Sequence, residues 1–232
     1  MASKGVFAVI PARGGSKGLA RKNLRLLGGV ALVVHSIRAA QAASSIERLV
    51  VSTEDDEIAA VARAAGAEVI ERPVALAGDA VRNNDVVRHA IGERGAGLRF
   101  VALLQPTSPL RSAVDIDACL APLIAGEARS VMTVAPAGEH PAKALRIEHG
   151  LAVPYNGDLE AMEARRQDLP RAYRQNGAVY ALPIDDFMRE DRFYLPPCRA
   201  CVMSAETSLD IDGESDLLLA ERLLAARGGA RP

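Results

Sequence analysis

Short β-branched runs alternate with longer Ala-rich segments of helical period through the first two thirds of this chain, and that alternation restricts the fold more than any other feature. The runs are Val6–Ile10, Arg48–Ser52, Glu68–Glu71, Phe100–Leu104 and Ser130–Val134. The helical segments are Ala31–Ala42, Asp55–Ala65, Asn84–Arg94 and Ala113–Ala125. Strands that alternate with helices build a mostly parallel α/β sheet covered on both faces, which is why the strands read as continuous apolar runs. Gly66 and Gly126 follow two of the helical segments where a left-handed cap belongs, and Ser112 precedes another with Asp115 three residues on.

Past residue 138 the pattern breaks, because Pro141, Pro154, Pro170, Pro183, Pro196 and Pro197 interrupt short strand-like pieces. The sequence therefore predicts a core over 1–138 and 199–226, an inserted, protruding subdomain over 139–198 and a tail at 227–232. Within the insert, Arg174–Leu182 contains an apolar run; after it, Ala200–Ser204 is a short strand candidate and Ser215–Ala226 an amphipathic helix.

Composition excludes several classes. At 232 residues, 49% hydrophobic and 25% charged, with a net charge of -1, the chain is neither disordered nor fibrous, and it carries no basic block that would point to nucleic acid. No apolar run approaches the roughly 18 to 20 residues of a membrane span, and Val6–Pro11 is too short for the apolar part of a signal peptide. The expectation is a soluble, cytoplasmic protein. Three cysteines, Cys119, Cys198 and Cys201, do not make a disulfide framework, and the Cys198/Cys201 pair lacks the further ligands that zinc needs.

Chemistry concentrates in three segments. Directly after the first strand, residues 11–23 combine Gly14, Gly15 and Gly18 with Arg13, Lys17, Arg21 and Lys22. Glycines let the backbone approach a ligand and the cations neutralise it, so this reads as a polyphosphate cradle, although it matches neither a P-loop nor a dinucleotide fingerprint. A solvated basic turn is the competing reading. Asp210 and Asp212 flank Ile211; at this spacing in extended chain both carboxylates face one side and could share a hard cation such as Mg²⁺, while the alternative is a strand end whose second Asp caps the helix. The segment 103–111 ends an apolar strand in a rigid turn with Gln105, Thr107, Ser108 and Arg111, suited either to reading a ligand edge or to capping a loop. Arg165, Arg166, Arg171 and Arg174 form a fourth cluster that would bind an anionic second substrate or simply face water.

Taken in order, Ile10–Gly18, Lys22-Asn23, Val51–Thr53, Glu71–Pro73, Leu104–Arg111, His140-Pro141 with Lys143, Asn176–Tyr180 and Asp210–Asp212 resemble the motifs of the CMP-sialic acid synthetase family. The resemblance implies a Rossmann-like nucleotide-binding sheet, a protruding dimerisation subdomain, a homodimer, CTP as substrate, Mg²⁺ as cofactor and an anionic acceptor. It implies that Arg13 and Lys22 hold the triphosphate and that Asn23, Arg72, Asn83 and Gln105 contact ribose and cytosine. Lys143 and Arg166 would meet the acceptor, and Asp210 and Asp212 the metal, with Asp212 also catalytic. Ala12, Gly14, Ser16 and Asn176 complete the substrate-binding set. The resemblance thus implies transfer of CMP to a nonulosonic acid; an octulosonate or a small carboxylated phosphonate as acceptor, or a non-catalytic nucleotide-binding protein, are the alternatives. Ala20 and Ala31 stand where the family has Pro, and Val81–Asn84 replaces a stretch rich in hydroxyls.

Overall fold

A computed structural model describes residues 5–16 and 18–229. In chain order these form β1 (Val6–Pro11), β2 (Leu26–Leu27), β3 (Val30–Ala31), α1 (Leu32–Ala42), β4 (Ile46–Thr53), α2 (Asp56–Ala64), β5 (Glu68–Glu71), α3 (Asn83–Arg94), β6 (Phe100–Leu103), α4 (Ala113–Ile124) and β7 (Ser130–Pro136). The remainder comprises β8 (Leu145–Glu148), β9 (Leu151–Pro154), α5 (Leu159–Glu163), β10 (Tyr173–Pro183), α6 (Ile184–Glu190), β11 (Cys198–Val202) and α7 (Glu214–Gly229).

The main sheet has seven strands in the order β11-β7-β10-β6-β1-β4-β5, and every neighbouring pair is parallel except the two that involve β10. Alternation along the strands sets the layers. Val6, Ala8 and Ile10 of β1 pack with α1, α2 and α4 on one face, whereas Phe7 and Val9 pack with α3 and α6 on the other. The expected strands and helices of the first two thirds are present within two residues at each end, Gly66 and Gly126 have φ of 81° and 78°, and Ser112 and Asp115 close a capping box.

Two expectations need correction. The region 139–198 is not one insert: β10 lies in the middle of the main sheet between β6 and β7, because Ala178, Val179, Ala181 and Leu182 bury both of its faces. What stands off the sheet is the β8–β9 hairpin and α5, while α6 returns to the core through Ile184 and Phe187. The tail also starts later, since α7 runs to Gly229 and Arg227 donates to the Leu110 carbonyl at 3.3 Å; residues 230–232 lie outside the described residues. No described helix is long and apolar enough to cross a membrane.

A third apolar cluster unites Leu19 and Leu27 near the first loop with Ile211, Leu217 and Ala220. It draws the C-terminal segment back against the beginning of the chain. Elsewhere, Asp117 of α4 accepts hydrogen bonds from the backbone N–H and the hydroxyl of both Ser44 and Ser45, fastening the α1–β4 turn. Partial burial alone would raise this carboxyl, but those donors outweigh it and hold it below the ordinary range. A folded pKa below the unfolded one contributes stability above the unfolded value of about 3.9, and that stability is lost as pH falls through the lower folded value. Asp117→Ala is expected to lose about 1–3 kcal/mol in urea unfolding at pH 7, with the gap to wild type narrowing below pH 4.

Candidate active site

The chain leaves β1 for β4 and β5 on one side and returns to β6 on the other, so a crevice opens beyond the carboxyl ends of the central strands. It holds a cleft of about 560 Å³. Arg13, Ser16, Lys22, Asn23, Arg72, Asn83, Gln105, Asp210 and Asp212 line it, so most of the residues singled out in the sequence meet in one place.

On the first wall, the loop after β1 divides its cations between two directions. Arg13 faces the cleft, ion-paired with Asp79 at 2.8 Å, and Lys22 faces it from a short 3₁₀ turn. Arg21 does not: its backbone is left-handed, with φ of 54°, and its guanidinium binds Asp55 at 2.6 Å and Glu57 at 2.5 Å beside the start of α2. Burial pushes the Asp55 carboxyl up, but the Ile58 N–H and Arg21 pull it down by more. Lys17 lies outside the described residues. Asn23 is almost buried and donates from Nδ2 to the Arg13 carbonyl at 2.9 Å, so it tethers the loop as well as lining the cleft.

Ala12 and Gly14 are in this loop but do not line the cleft. Ala12 is fully buried and its N–H donates to the Ser52 carbonyl at 3.0 Å. The Gly14 N–H donates to Glu54 Oε1 at 2.8 Å, and Glu54 Oε2 in turn accepts from Arg72 at 2.6 Å. Glu54 and Asp79 are thus the counter-ions of the two cleft arginines. The sequence contains no signal for either pairing, because the spacing of residues does not tell which acid a guanidinium will meet.

The second wall is built from Gln105–Thr107 and Asp210–Asp212. Ile211 is fully buried in the third apolar cluster, which turns the flanking carboxylates toward the cleft; this is the arrangement that i, i+2 spacing predicts. Lys22 joins the walls, donating from Nζ to the Ile211 carbonyl at 2.8 Å and to Asp212 Oδ1 at 3.1 Å. Asp212 is open to solvent, whereas Asp210 keeps a buried Oδ1 that has no hydrogen-bond partner. Burial raises the Asp210 carboxyl, with Asp212 adding to the rise and the Thr107 hydroxyl, Lys22 and Arg174 opposing it. An unpartnered carboxylate oxygen beside a second carboxylate suits a hard cation. The described residues contain no cluster of three or more metal-ligating side chains, and two carboxylates are enough for Mg²⁺ when phosphates and water complete its shell.

Three expected site residues lie elsewhere. The Lys143 ammonium is held by the Met162 and Ala164 carbonyls of the α5 region. Arg166 donates to the Gly138 carbonyl at 2.6 Å and lines a second cavity of about 450 Å³ with His140, Arg171 and Tyr173. Asn176 is buried in β10, with 1% exposure. In the arginine cluster, Arg165 pairs with Asp168 at 2.7 Å and Arg174 reaches the Ser208 carbonyl at 3.1 Å, so only Arg166 and Arg171 share a cavity. Ser108 and Arg111 are buried behind the cleft, and burial lowers Arg111 to about 10, which leaves it charged at neutral pH.

Comparison with known proteins agrees with this geometry. The profile of a family described as cytidylyltransferase matches residues 7–223. An N-acylneuraminate cytidylyltransferase of Escherichia coli is 30% identical over 215 residues, which are 93% of this chain and 51% of that protein. This chain thus spans about half the length of that relative. A CMP-N,N'-diacetyllegionaminic acid synthase of Legionella pneumophila is 33% identical over 233 residues, 94% of this chain and 96% of that protein. Among solved structures, that of CMP:2-keto-3-deoxy-manno-octonic acid synthetase complexed with CTP shares the fold, with a TM-score of 0.72, 17% identity and coverage of 96% of this chain and 99% of the other. With nearly the whole chain matched and most of the motif residues gathered beyond the carboxyl ends of the central strands, the chain belongs to the cytidylyltransferase family.

Proposed function

We propose that this protein is a CTP-dependent cytidylyltransferase acting in the cytoplasm, which transfers CMP to an acidic acceptor of the nonulosonic acid class, such as sialic acid or a relative. The observation that carries the reading is the Lys22 bridge: a cation that suits a triphosphate is bonded to Asp212, one of two carboxylates in the same cleft that suit its metal ion. An acceptor hydroxyl oxygen bonds to the α-phosphorus, the bond from that phosphorus to the β-phosphate oxygen breaks, and pyrophosphate leaves. The hydroxyl proton passes to a base, and Asp212 is the exposed carboxylate beside the reacting centre. Arg13 and Lys22 neutralise the phosphates as charge moves onto the leaving group. Leu76, Val81 and Val86 supply apolar surface for the base, with Asn83 and Gln105 offering amides to its polar edge. Asp210 and Asp212 would hold Mg²⁺, which when bound would supply Lewis-acid polarisation of the phosphate oxygens.

The test is pyrophosphate release from each of the four NTPs with Mg²⁺ over nonulosonic acids, octulosonates and small carboxylated phosphonates. Turnover with CTP and a nonulosonic acid is expected. Turnover only with an octulosonate or phosphonate would move the acceptor class, and CTP binding without turnover on any acceptor would make the chain a nucleotide-binding protein.

The acceptor reading includes a homodimer. Leu145, Ile147, Leu151, Tyr155 and Leu159 are 51–72% exposed, on the hairpin, the turn after it and the start of α5 that stand off the sheet. Clustered apolar surface of this kind favours burial against another protein surface. Lys143 and Arg166 flank this part of the chain and do not line their own cleft, so a second copy is the surface on which they would serve an acceptor. Light scattering at micromolar concentration should give twice the 24.5 kDa chain mass, and an Ile147→Asp, Leu151→Asp variant should run as a folded monomer with impaired turnover. A monomeric wild type that turns over at full rate would rule out the dimer.

A further inference from the structure

The pairing of β10 breaks where it passes behind the cleft. Its register with β7 shifts between Gln175 and Tyr180, and Gly177 at the break has φ of 75°. A Cβ on Gly177 would stand 2.3 Å from Gln105 Oε1 and 3.3 Å from Ser108 Oγ, so Gln105 takes up the space that a side chain at 177 would need. Beside it, both ends of the Asn176 amide are occupied. Nδ2 donates to Ser208 Oγ at 2.8 Å and lies 3.2 Å from Met203 Sδ, Oδ1 accepts from the Ala178 N–H at 3.2 Å, and the backbone carbonyl accepts from Ser108 Oγ at 3.0 Å.

Both segments of the second wall are fastened to this one bulge. The Gln105–Thr107 turn is tied through Ser108 to Asn176, and through Arg111, which donates to the Gln105 carbonyl at 3.3 Å and the Ala178 carbonyl at 2.7 Å. The Asp210–Asp212 segment is tied through Ser208, whose hydroxyl accepts from Asn176 and whose carbonyl accepts from Arg174. Where these two segments meet, the Ile211 N–H donates to the Thr107 carbonyl at 2.9 Å. Ser208 is fully buried, so water cannot replace a lost partner without cost.

We infer that Asn176 is a positioning residue rather than a substrate contact: its hydrogen bond to Ser208 holds the Asp210/Asp212 pair in register with the Gln105–Thr107 turn. The inference rests on the proposed role of the two aspartates as a cation-binding pair. Asparagine suits the joint because one short side chain must donate to Ser208 and accept from Ala178; aspartate has no such donor, and alanine leaves both partners unmet.

The test compares full-length wild type, Asn176→Ala, Ser208→Ala and the double variant. By hydrogen exchange without nucleotide or metal, the peptide containing Ile211 should exchange roughly tenfold faster in each variant, while β1 keeps its protection. In turnover assays the Mg²⁺ needed for half-maximal rate should rise roughly tenfold, the range of groups that orient metal ligands, with the KM for CTP at saturating Mg²⁺ unchanged. Because the two residues share one bond, the double variant should match Asn176→Ala, which also loses the bond from Ala178, rather than sum the two singles. A raised KM for CTP or acceptor with exchange and Mg²⁺ requirement unmoved would make Asn176 a substrate contact and overturn the inference, as would additive effects. If wild type itself turns over no acceptor, the proposed function fails, and unaltered exchange at Ile211 would then overturn the joint separately. Should Asn176→Ala fail to fold, Ser208→Ala removes the same bond by losing a single hydroxyl and decides by the same readouts.

Discussion

An Asp210→Ala, Asp212→Ala double variant is expected to fold normally and to release pyrophosphate from CTP at least ~10²–10³-fold more slowly than wild type, the cost typical of deleting one strong electrostatic contributor to a transition state. Folding should survive because the site gains little stability from Asp210: its Oδ1 is buried without a partner, and burial already disfavours its charge. Ile211, whose burial anchors the segment, is untouched, and Lys22 keeps the Ile211 carbonyl. Calorimetry separates the metal role from simple charge repulsion. Without Mg²⁺ the variant should bind CTP at least as tightly as wild type, because two negative charges have left a cleft that receives a triphosphate. With Mg²⁺ wild type should tighten and the variant should not. Turnover by the double variant at the wild-type rate would remove both aspartates from the chemistry.

The aspartate pair was legible in the sequence because its argument is local: an apolar residue between two acids needs only one buried side to face both carboxylates the other way. The same holds for the β-strand runs and for the Ser112 capping box, each a matter of a few consecutive residues. The limits appear where the answer depends on distant partners. The sequence puts β10 within an insert because Pro170 and Pro183 frame it and because its antiparallel place between β6 and β7 is set by pairing across the sheet. Arg13 and Arg21 are equivalent on paper, yet a left-handed backbone at 21 sends that guanidinium to Asp55 and Glu57 while Arg13 stays in the cleft. Asn176 falls within a motif, but the chain around it turns the side chain inward to Ser208.

The approach of the two walls makes Gly18 the most sensitive position in the first loop. A Cβ built there would stand 2.4 Å from the Asp212 carbonyl oxygen, a backbone atom that cannot rotate away as a side chain would. Gly18→Ala must therefore push the loop and the aspartate segment apart. Leu19, the next residue, packs in the same cluster as Ile211, so the shift acts on an interface already closed by apolar contact. Lys22 depends on that closeness for its reach to the Ile211 carbonyl and Asp212. A displacement near 1 Å at a reacting centre costs on the order of 10²-fold in rate, and Gly18→Ala is expected to lower kcat by that factor. The loss in Tm should be small by comparison, because a single loop-to-loop contact opens while the sheet and its two covering layers are untouched. Steady-state kinetics paired with a melting curve check this: a kcat within twofold of wild type would mean that the walls can separate freely and that their contact at Gly18 does not set the geometry of the cleft.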